Sequence, residues 1–313
     1  MLGPTGAGKS DLALSIAEAL HGEIVNYDSL QIYRGFDLGT AKLPPSARRG
    51  IPHHLIDIAD PADVFTAGGY SALARATLTE IAARGRIAVL AGGTGFYLRA
   101  LLDGLFAGPE RNTELRDRLA RREARRPLSL HRILTRLDPP AAARIHPNDR
   151  NKIMRALEVR LLEGKPVSEL FLRGRDPLAG FRAIKIGLNP PRSALYERLD
   201  ARSRRIFDNG LLDEVRELLG RGVSPDVKPF ESIGYSQALA MIQDRMTIEQ
   251  ALRSTQQETR RYAKRQLTWF RKEDDVHWFR AFGDDPETVA RSLNVIRAET
   301  VMERLQPRSQ ELK

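Results

Sequence analysis

The chain alternates between segments with a helical hydrophobic period and short apolar runs typical of buried strands. After Ser10, apolar residues at Leu12, Ile16, Ala19 and Leu20 recur with the spacing of an amphipathic helix. Three apolar segments predict strands: EIVNYDS, RIAVLAGG and FRAIKIGLNP. Because helices alternate with these strands, we predict an α/β fold with a parallel sheet flanked by helices.

A block of helix-like sequence interrupts this α/β pattern. Residues 111–136 contain nine arginines and no lysine, and strand-like sequence resumes only at about residue 181. We predict an inserted all-helical domain at 110–180, core segments at 1–109 and 181–298, and a polar tail at 299–313. Glu114, Asp117 and Glu123 lie among the arginines, so a salt-bridged surface helix is the alternative to a surface that binds a polyanion.

A second basic helix is predicted near the end of the chain. Arg253–Lys272 contains seven basic residues and one acid, Glu258. Ala263, Leu267 and Phe270 recur at i, i+4 and i+7, which predicts one buried apolar stripe. The basic side chains must then project from the other faces, where they suit a phosphate backbone.

The chain opens with a glycine-rich phosphate loop that matches the pattern GxxxxGK[ST]. Its members are Gly3, Pro4, Thr5, Gly6, Ala7, Gly8, Lys9 and Ser10. Successive backbone N–H groups in such a loop converge on an anion, lysine adds a point charge, and the serine hydroxyl suits Mg²⁺. A buried strand normally leads into this loop, and only Met1 and Leu2 precede it here, so we expect further apolar residues upstream.

Polar residues follow the predicted strands. Asp28 follows the strand EIVNYDS at its carboxyl end, the edge where parallel sheets gather functional groups. Taken alone, Asp28 could equally cap a turn or hold Mg²⁺ through water. The strand RIAVLAGG ends in Gly92 and Gly93 and lacks the acid that holds Mg²⁺ in nucleotide-hydrolysing enzymes, which weakens an ATPase assignment. Thr94 follows within reach of a substrate.

Composition favours a polyanionic partner. Lysine and arginine outnumber aspartate and glutamate by 50 to 40, which gives a net charge of +10 and makes nucleic acid the leading candidate. The sequence has no apolar run long enough to cross a membrane, and its first residues show no basic-then-apolar pattern, so we expect no secretory signal. It has no cysteine, which excludes disulfides and thiolate metal sites and favours a cytoplasmic protein. His53 and His54 indicate a metal only weakly.

Six blocks in order resemble the bacterial tRNA dimethylallyltransferase family, also called tRNA isopentenyltransferases. They are GPTGAGKS, DSLQIYRGFDLGTAK, PHHLID, AGGTGFYLRALLDGL, HPNDRNKIMRALEV and AKRQLTWFR, and they extend from residue 3 to residue 271. The resemblance implies transfer of a dimethylallyl group from dimethylallyl diphosphate to N6 of the adenine 3′ of the tRNA anticodon. It also implies Mg²⁺, a helical insertion in a P-loop core, and the tRNA anticodon stem–loop as partner; we expect a monomer.

The resemblance assigns roles to particular residues. Asp28 corresponds to the family's proposed base and Arg202 to its diphosphate-side arginine, while Lys9 and Thr5 complete the catalytic set. Gly3–Ser10 and Arg202 would bind the diphosphate, with the metal on Ser10. Without the resemblance, a solvated basic face would be the preferred explanation of Arg202 and Arg198. The predicted tRNA contacts are Asp28, Ser29, Leu30, Gln31, Thr94, Arg116, Asn151, Lys152, Ile153, Met154, Arg155, Gly234, Tyr235, Arg261, Lys264, Arg265 and Arg271.

Two other functions fit parts of the sequence. A P-loop nucleoside or nucleotide kinase would use residues 111–136 as an arginine-rich lid, but it leaves the second basic helix unexplained. A non-catalytic or ATP-switched RNA-binding protein would explain the basic surfaces, but it leaves Asp28 beside the phosphate loop without a function. The two alternatives differ from the transferase in whether ADP is released and whether tRNA is modified.

Overall fold

The computed structural model of this chain describes residues 1–106, 108–172 and 174–305. Its strands are β1 (Glu23–Asn26), β2 (His53–His54), β3 (Ala88–Ala91), β4 (Lys185–Leu188) and β5 (Val276–Phe279). Its helices are α1 (Lys9–Ala19), α2 (Ala67–Ala83), α3 (Gly95–Leu102), α4 (Thr113–Arg125), α5 (Ser129–Leu137), α6 (Pro139–Arg144), α7 (Arg150–Glu163), α8 (Val167–Leu172), α9 (Arg192–Asp208), α10 (Leu211–Gly220), α11 (Tyr235–Ile242), α12 (Ile248–Phe270) and α13 (Pro286–Leu305). The predicted α/β class is confirmed. Within these described residues, no helix is long and apolar enough to cross a membrane.

All described strand pairings are parallel. β1 lies between β2 and β3, and β4 pairs with β5. Leu2 forms an isolated parallel bridge to Gly187 in β4, and its N–H donates to the Ile186 carbonyl at 2.7 Å. This pairing places the start of the phosphate loop at the edge of β4, where a lead-in strand is expected.

The elements around the phosphate loop form because their apolar residues meet in one core. All four residues of β1 are buried, and α1 packs Leu12 and Ile16 against the sheet. The helix predicted after Ser10 is confirmed, although Ala19, its last residue, is exposed. Strand β5 was not predicted from the sequence, because its four residues (VHWF) do not alternate between apolar and polar.

Contacts divide the chain into two compact units. The core unit consists of residues 1–101 and the described residues from 180 onward, and the helical unit consists of residues 102–179. The helical unit has its own apolar core, in which Leu130, Leu134 and Leu157 are buried. The predicted insertion begins at residue 110, whereas the compact unit begins at residue 102.

The end of the described chain is helical where a polar tail was predicted. α13 continues through residue 305, beyond the predicted boundary at 298. Glu299 anchors this part of the helix, because its side chain pairs with Arg182 and lies 3.3 Å from His277. Residues 306–313 of the predicted tail lie outside the described residues.

Candidate active site

The phosphate loop requires glycine at two of its turns. Gly6 and Gly8 have φ angles of 77° and 84°, a left-handed conformation that side chains rarely adopt. A Cβ atom on Gly6 would lie 2.6 Å from Leu199 Cδ2, and one on Gly8 would lie 2.8 Å from Asp284 Oδ1. Gly8 is also the N-cap of α1, so the loop ends at a helix N-terminus, where the helix dipole favours an anion.

Lys9 places a partly buried ammonium group on the inner side of this loop. Its Nζ donates to the carbonyl oxygens of Gly3 and Pro4 at 2.9 and 2.8 Å. Burial lowers the pKa of Lys9 to about 7; the Asp28 carboxylate opposes this shift, and Arg202 adds to it. A bound anion favours the charged form, so it would raise the pKa of Lys9.

Two arginines of α9 face the same loop. The Arg202 Nη1 donates to Thr5 Oγ1 at 3.4 Å, and burial lowers the pKa of the guanidinium. The Arg198 Nη1 lies 2.8 and 3.0 Å from the two carboxylate oxygens of Asp284. Both arginines line the cavity beside the phosphate loop, so they are not a purely solvated basic face.

Asp28 lies just beyond the carboxyl end of β1 in a fixed turn. Its Oδ1 accepts a hydrogen bond from the Leu30 N–H at 2.9 Å, and its own N–H donates to Asn26 Oδ1 at 3.0 Å. Its second oxygen, Oδ2, faces Gly93, where a Cβ atom would lie 3.0 Å away. The turn-capping function considered from sequence is therefore present, and the same carboxylate also lines the cavity.

One cavity of about 220 Å³ contacts all the predicted catalytic groups. Thr5, Lys9, Asp28 and Arg202 line it, as does Ser10, whose residue is exposed. The structure therefore brings a carboxylate into the same cavity as an anion-binding loop and the partly buried guanidinium of Arg202. Such a chamber can hold a phosphorylated compound beside a group that accepts a proton.

Two residues of α12 that line this cavity are not among the predicted site residues. Gln266 is 5% exposed; its Oε1 accepts from the Thr5 N–H at 2.7 Å, and its Nε2 donates to the Gly93 carbonyl at 2.8 Å. Tyr262 lines the cavity one helical turn earlier, and burial raises the pKa of its hydroxyl. The sequence feature that could have identified Gln266 as a site residue is its position as a polar residue within the apolar stripe that includes Ala263.

Comparison with known proteins places this arrangement in a family. A family model described as IPP transferase matches residues 31–273. The tRNA dimethylallyltransferase of Solibacter usitatus is 62% identical over 285 residues, which cover 91% of this chain and 93% of that protein. The tRNA dimethylallyltransferase of Koribacter versatilis is 50% identical over 298 residues, which cover 95% of this chain and 97% of that protein. The chain belongs to the IPP transferase family.

Solved structures of related proteins share the fold of this chain. The tRNA isopentenylpyrophosphate transferase of Bacillus halodurans has a TM-score of 0.70 at 35% identity, covering 97% of this chain and 96% of that one. A eukaryotic dimethylallyltransferase acting on tRNA has a TM-score of 0.82 at 26% identity, covering 99% of this chain and 80% of that one. The likeness therefore covers nearly the whole chain.

Several predicted tRNA contacts lie at the cavity rim. The Thr94 hydroxyl accepts from the Ser29 N–H at 2.9 Å and donates to the Ser29 hydroxyl at 3.0 Å. Gln31 lines the cavity, and its Nε2 donates to the Thr40 carbonyl at 3.1 Å. The structure thus brings Ser29, Gln31 and Thr94 close to Asp28, and Leu30 lies in the same turn.

Three predicted tRNA contacts are buried. Ile153 and Tyr235 are 1% and 0% exposed, and Gly234 is also buried. Tyr235 packs against Gly39, where a Cβ atom would lie 2.3 Å from its Cε2, and its hydroxyl donates to Glu214. The side chains of Ile153 and Tyr235 are therefore packing residues, which corrects their assignment to RNA contact.

Two of the remaining predicted contacts of the helical unit, Arg116 and Arg155, bind a buried acid. Arg116 and Arg155 both donate to Glu158, which is 0% exposed, at 2.8 Å. Burial alone would raise the pKa of Glu158, but hydrogen bonds from Arg116, Arg155 and the Asn112 N–H lower it to about 2. The Arg116–Glu158 pair therefore joins α4 to α7, and both arginines are engaged within the helical unit. The other predicted contacts here are exposed or partly exposed, namely Asn151, Lys152 and Met154.

The arginine-rich helix α4 is not neutralised by its own acids. Glu123 is buried and accepts hydrogen bonds from the N–H groups of Leu128 and Leu130 at the start of α5, at 2.6 and 2.9 Å. Arg118, Arg121, Arg122 and Arg125 are exposed, and none of them forms an ion pair with another described residue. The salt-bridged alternative considered from sequence is therefore wrong for these four arginines.

The second basic helix, α12, shows the predicted division into faces. Of the predicted stripe, Ala263 and Phe270 are buried and Leu267 is only partly buried, and Gln266 is also buried on this face. Arg261, Lys264, Arg265 and Arg271 are exposed and have no ion-pair partner within the described residues. A single helix therefore contributes to the cavity wall on one side and to a cationic surface on the other.

Proposed function

We propose that this chain transfers the dimethylallyl group of dimethylallyl diphosphate to N6 of the adenine 3′ of the anticodon in tRNA, with release of diphosphate. The observation that carries the proposal is the position of the Asp28 carboxylate in the same cavity as Lys9 and Arg202. Membership of the IPP transferase family supports it independently.

On the donor side, the diphosphate is the leaving group. Negative charge accumulates on it as the allylic C–O bond breaks, so cations fixed in advance around it lower the barrier. Lys9 and Arg202 are such cations, and burial of both weakens competition from water. Thr5, whose hydroxyl accepts from Arg202, is positioned to contact the same phosphates.

On the acceptor side, the adenine amine is a poor nucleophile because its lone pair is delocalised into the ring. Loss of a proton as the C–N bond forms makes that lone pair available, and the Asp28 carboxylate in the cavity wall can accept the proton. The base must leave its stack to enter the cavity, which costs least in a single-stranded loop such as the anticodon loop.

The cavity residues fit Mg²⁺. This ion is usually held by one or two protein oxygens, substrate phosphates and water, and does not require a cage of carboxylates. Ser10 presents an exposed hydroxyl at the cavity wall, and the described residues contain no cluster of three His, Cys, Asp or Glu. Bound there with the donor, Mg²⁺ would supply positive charge to the diphosphate.

Mass spectrometry of tRNA incubated with protein, dimethylallyl diphosphate and Mg²⁺ tests the proposal. We expect one added dimethylallyl group, located on the adenine 3′ of the anticodon. Asp28→Asn removes the group that accepts the proton, so it should lower the transfer rate about 10²- to 10⁴-fold. It keeps an oxygen that can accept from the Leu30 N–H, so tRNA affinity should stay near that of wild type. Unmodified tRNA, or release of ADP from labelled ATP with a nucleoside acceptor, would overturn the proposal in favour of a kinase or a binding protein.

The same proposal includes a monomeric protein that acts in the cytoplasm. The absence of cysteine from the sequence supports a reducing compartment, and the tRNA substrate is found there. Sedimentation of the purified protein tests the monomer, since a concentration-dependent mass above 35.1 kDa would contradict it.

A further inference from the structure

A second, larger cavity lies between α9 and α12 on the core unit. This α9–α12 groove has a volume of about 570 Å³, and its lining includes Arg192, Tyr196, Lys264, Arg271 and Arg280. The four basic residues are exposed, and none forms an ion pair with another described residue. No acidic residue lines the groove. Its potential is therefore positive, and it is large enough for a nucleotide-sized ligand.

The groove contains a flat surface on which a base can stack. The Arg192 guanidinium lies over the Tyr196 ring, with its Cζ 5.0 Å from the ring centroid. Guanidinium planes and aromatic rings are the groups on which proteins stack unpaired RNA bases. Tyr196 is only partly buried, so this stack can be reached from solvent.

The groove also adjoins the catalytic cavity through a thin apolar wall. Leu195, Leu199 and Ala263 form a small buried cluster with Tyr196 packed against it. Leu199 contacts the phosphate loop at Gly6. Opposite faces of α12, a helix about 10–12 Å wide, therefore line the two cavities.

A third cavity of about 440 Å³ lies on the other side of the exposed face of α12. Arg261, Arg265 and Trp269 line it, and Lys264 and Thr268 line both this cavity and the α9–α12 groove. Lys264 and Thr268 thus form a ridge between two cationic depressions, each with one aromatic ring. A single-stranded RNA segment that crosses α12 would contact first one of these two depressions and then the other.

We propose that the α9–α12 groove is a subsite for one nucleotide that flanks the target adenine. Its base stacks on the Arg192–Tyr196 pair, and the basic side chains that line the groove, Arg192, Lys264, Arg271 and Arg280, bind its phosphates. The inference rests on the proposed function, because it requires single-stranded RNA as the acceptor. It adds Arg192, Tyr196 and Arg280, which neither the phosphate loop nor the resemblance of the sequence assigns to RNA.

An abasic scan of the acceptor tests the base-stacking part. A synthetic anticodon stem–loop is made with one base at a time removed from the loop, and the dissociation constant of each is measured for wild type, Tyr196→Leu and Tyr196→Phe. At one flanking position, base removal should weaken wild-type binding roughly 5- to 150-fold, the range of base–aromatic stacking. The same removal should have little effect in Tyr196→Leu, while Tyr196→Phe should behave as wild type. Equal abasic penalties in all three proteins at every position would overturn the proposal.

A charge-reversal series tests the phosphate part. Arg192→Glu and Arg280→Glu should each weaken stem–loop binding and reduce the slope of log Kd against log salt by about 0.7 per lost phosphate contact. Arg297→Glu is the matched control, since Arg297 is exposed on α13 and lines none of the three cavities. Equal effects of all three variants would mean general attraction to a basic protein and would overturn the subsite.

The two levels of inference fail in different ways. If wild type modifies tRNA but the Tyr196 and Arg192 variants match it in KM for RNA, the transferase stands and the subsite is wrong. If wild type does not modify tRNA, the proposed function is wrong whatever the variants do. An increase in KM for RNA with an unchanged KM for dimethylallyl diphosphate is the result that supports the subsite.

Discussion

Binding of the donor diphosphate should take up a proton at Lys9. Burial holds the pKa of Lys9 at about 7, compared with an ordinary value of 10.5. At pH 8 a group with that pKa is about one tenth protonated, so a bound polyanion that restores the charged form takes up about 0.9 proton. At pH 6 the lysine is already charged, and the uptake at this site falls to about 0.1 proton.

Isothermal calorimetry of diphosphate binding, in buffers that differ in ionisation enthalpy, measures this uptake directly. Because the diphosphate itself titrates near neutral pH, the informative quantity is the difference between wild type and Lys9→Arg, whose guanidinium stays charged. That difference should grow from about 0.1 proton at pH 6 to about 0.9 at pH 8. A difference near zero at both pH values would refute the assignment of a depressed pKa to Lys9.

The same titration predicts how stability depends on pH without ligand. The unfolded lysine binds its proton up to its ordinary pKa of 10.5, whereas the folded one releases it at about 7. Between these values the unfolded state binds more protons, so the free energy of unfolding should rise with pH, by at most about 1.4 kcal/mol per unit from this site. Lys9→Met removes the titrating group, so urea denaturation from pH 7 to 9 should lack this contribution in that variant.

Three further predictions concern buried acids and exposed cations. Glu158→Ala leaves the Arg116 guanidinium without its buried partner, so urea denaturation should show a free energy of unfolding lower by about 3–5 kcal/mol. In wild type, the stability that this carboxylate contributes should be lost as pH falls from about 4.5 towards 2. Arg261→Glu combined with Arg265→Glu should weaken tRNA binding and reduce its salt dependence, while diphosphate binding, measured by calorimetry, is unchanged. If the variant binds tRNA as tightly as wild type at two salt concentrations, this face of α12 does not contact tRNA. Glu123→Ala should lower the melting temperature of the protein, because it removes the cap of α5, at a cost of about 1–2 kcal/mol; an unchanged melting temperature would contradict the capping function.

The phosphate loop and Asp28 could be predicted from sequence because their positions follow from local rules. A glycine-rich loop before an amphipathic helix forms within a few residues of chain, and a carboxylate after a buried strand lies at the carboxyl edge of a parallel sheet. Arg202 is nearly two hundred residues from the loop, and only the resemblance to a family assigned it to the diphosphate.

Other parts of the site depend on contacts that no local pattern contains. Gln266 joins Thr5 to Gly93 across more than 170 positions of sequence, and in the sequence it is one polar residue in a basic helix. Buried Ile153 was assigned to RNA together with exposed Asn151 and Lys152, and buried Tyr235 together with buried Gly234, because a motif indicates a segment and does not say which side chains of that segment face inward.

The position of Gln266 has a consequence for how the two substrates affect each other. It belongs to α12, whose opposite face carries the cations proposed for RNA, and it hydrogen-bonds both the phosphate loop and the strand end beside Asp28. Any shift of α12 caused by RNA must therefore alter the diphosphate cradle. Thermodynamic reciprocity then requires the donor to change RNA affinity by the same factor by which RNA changes donor affinity.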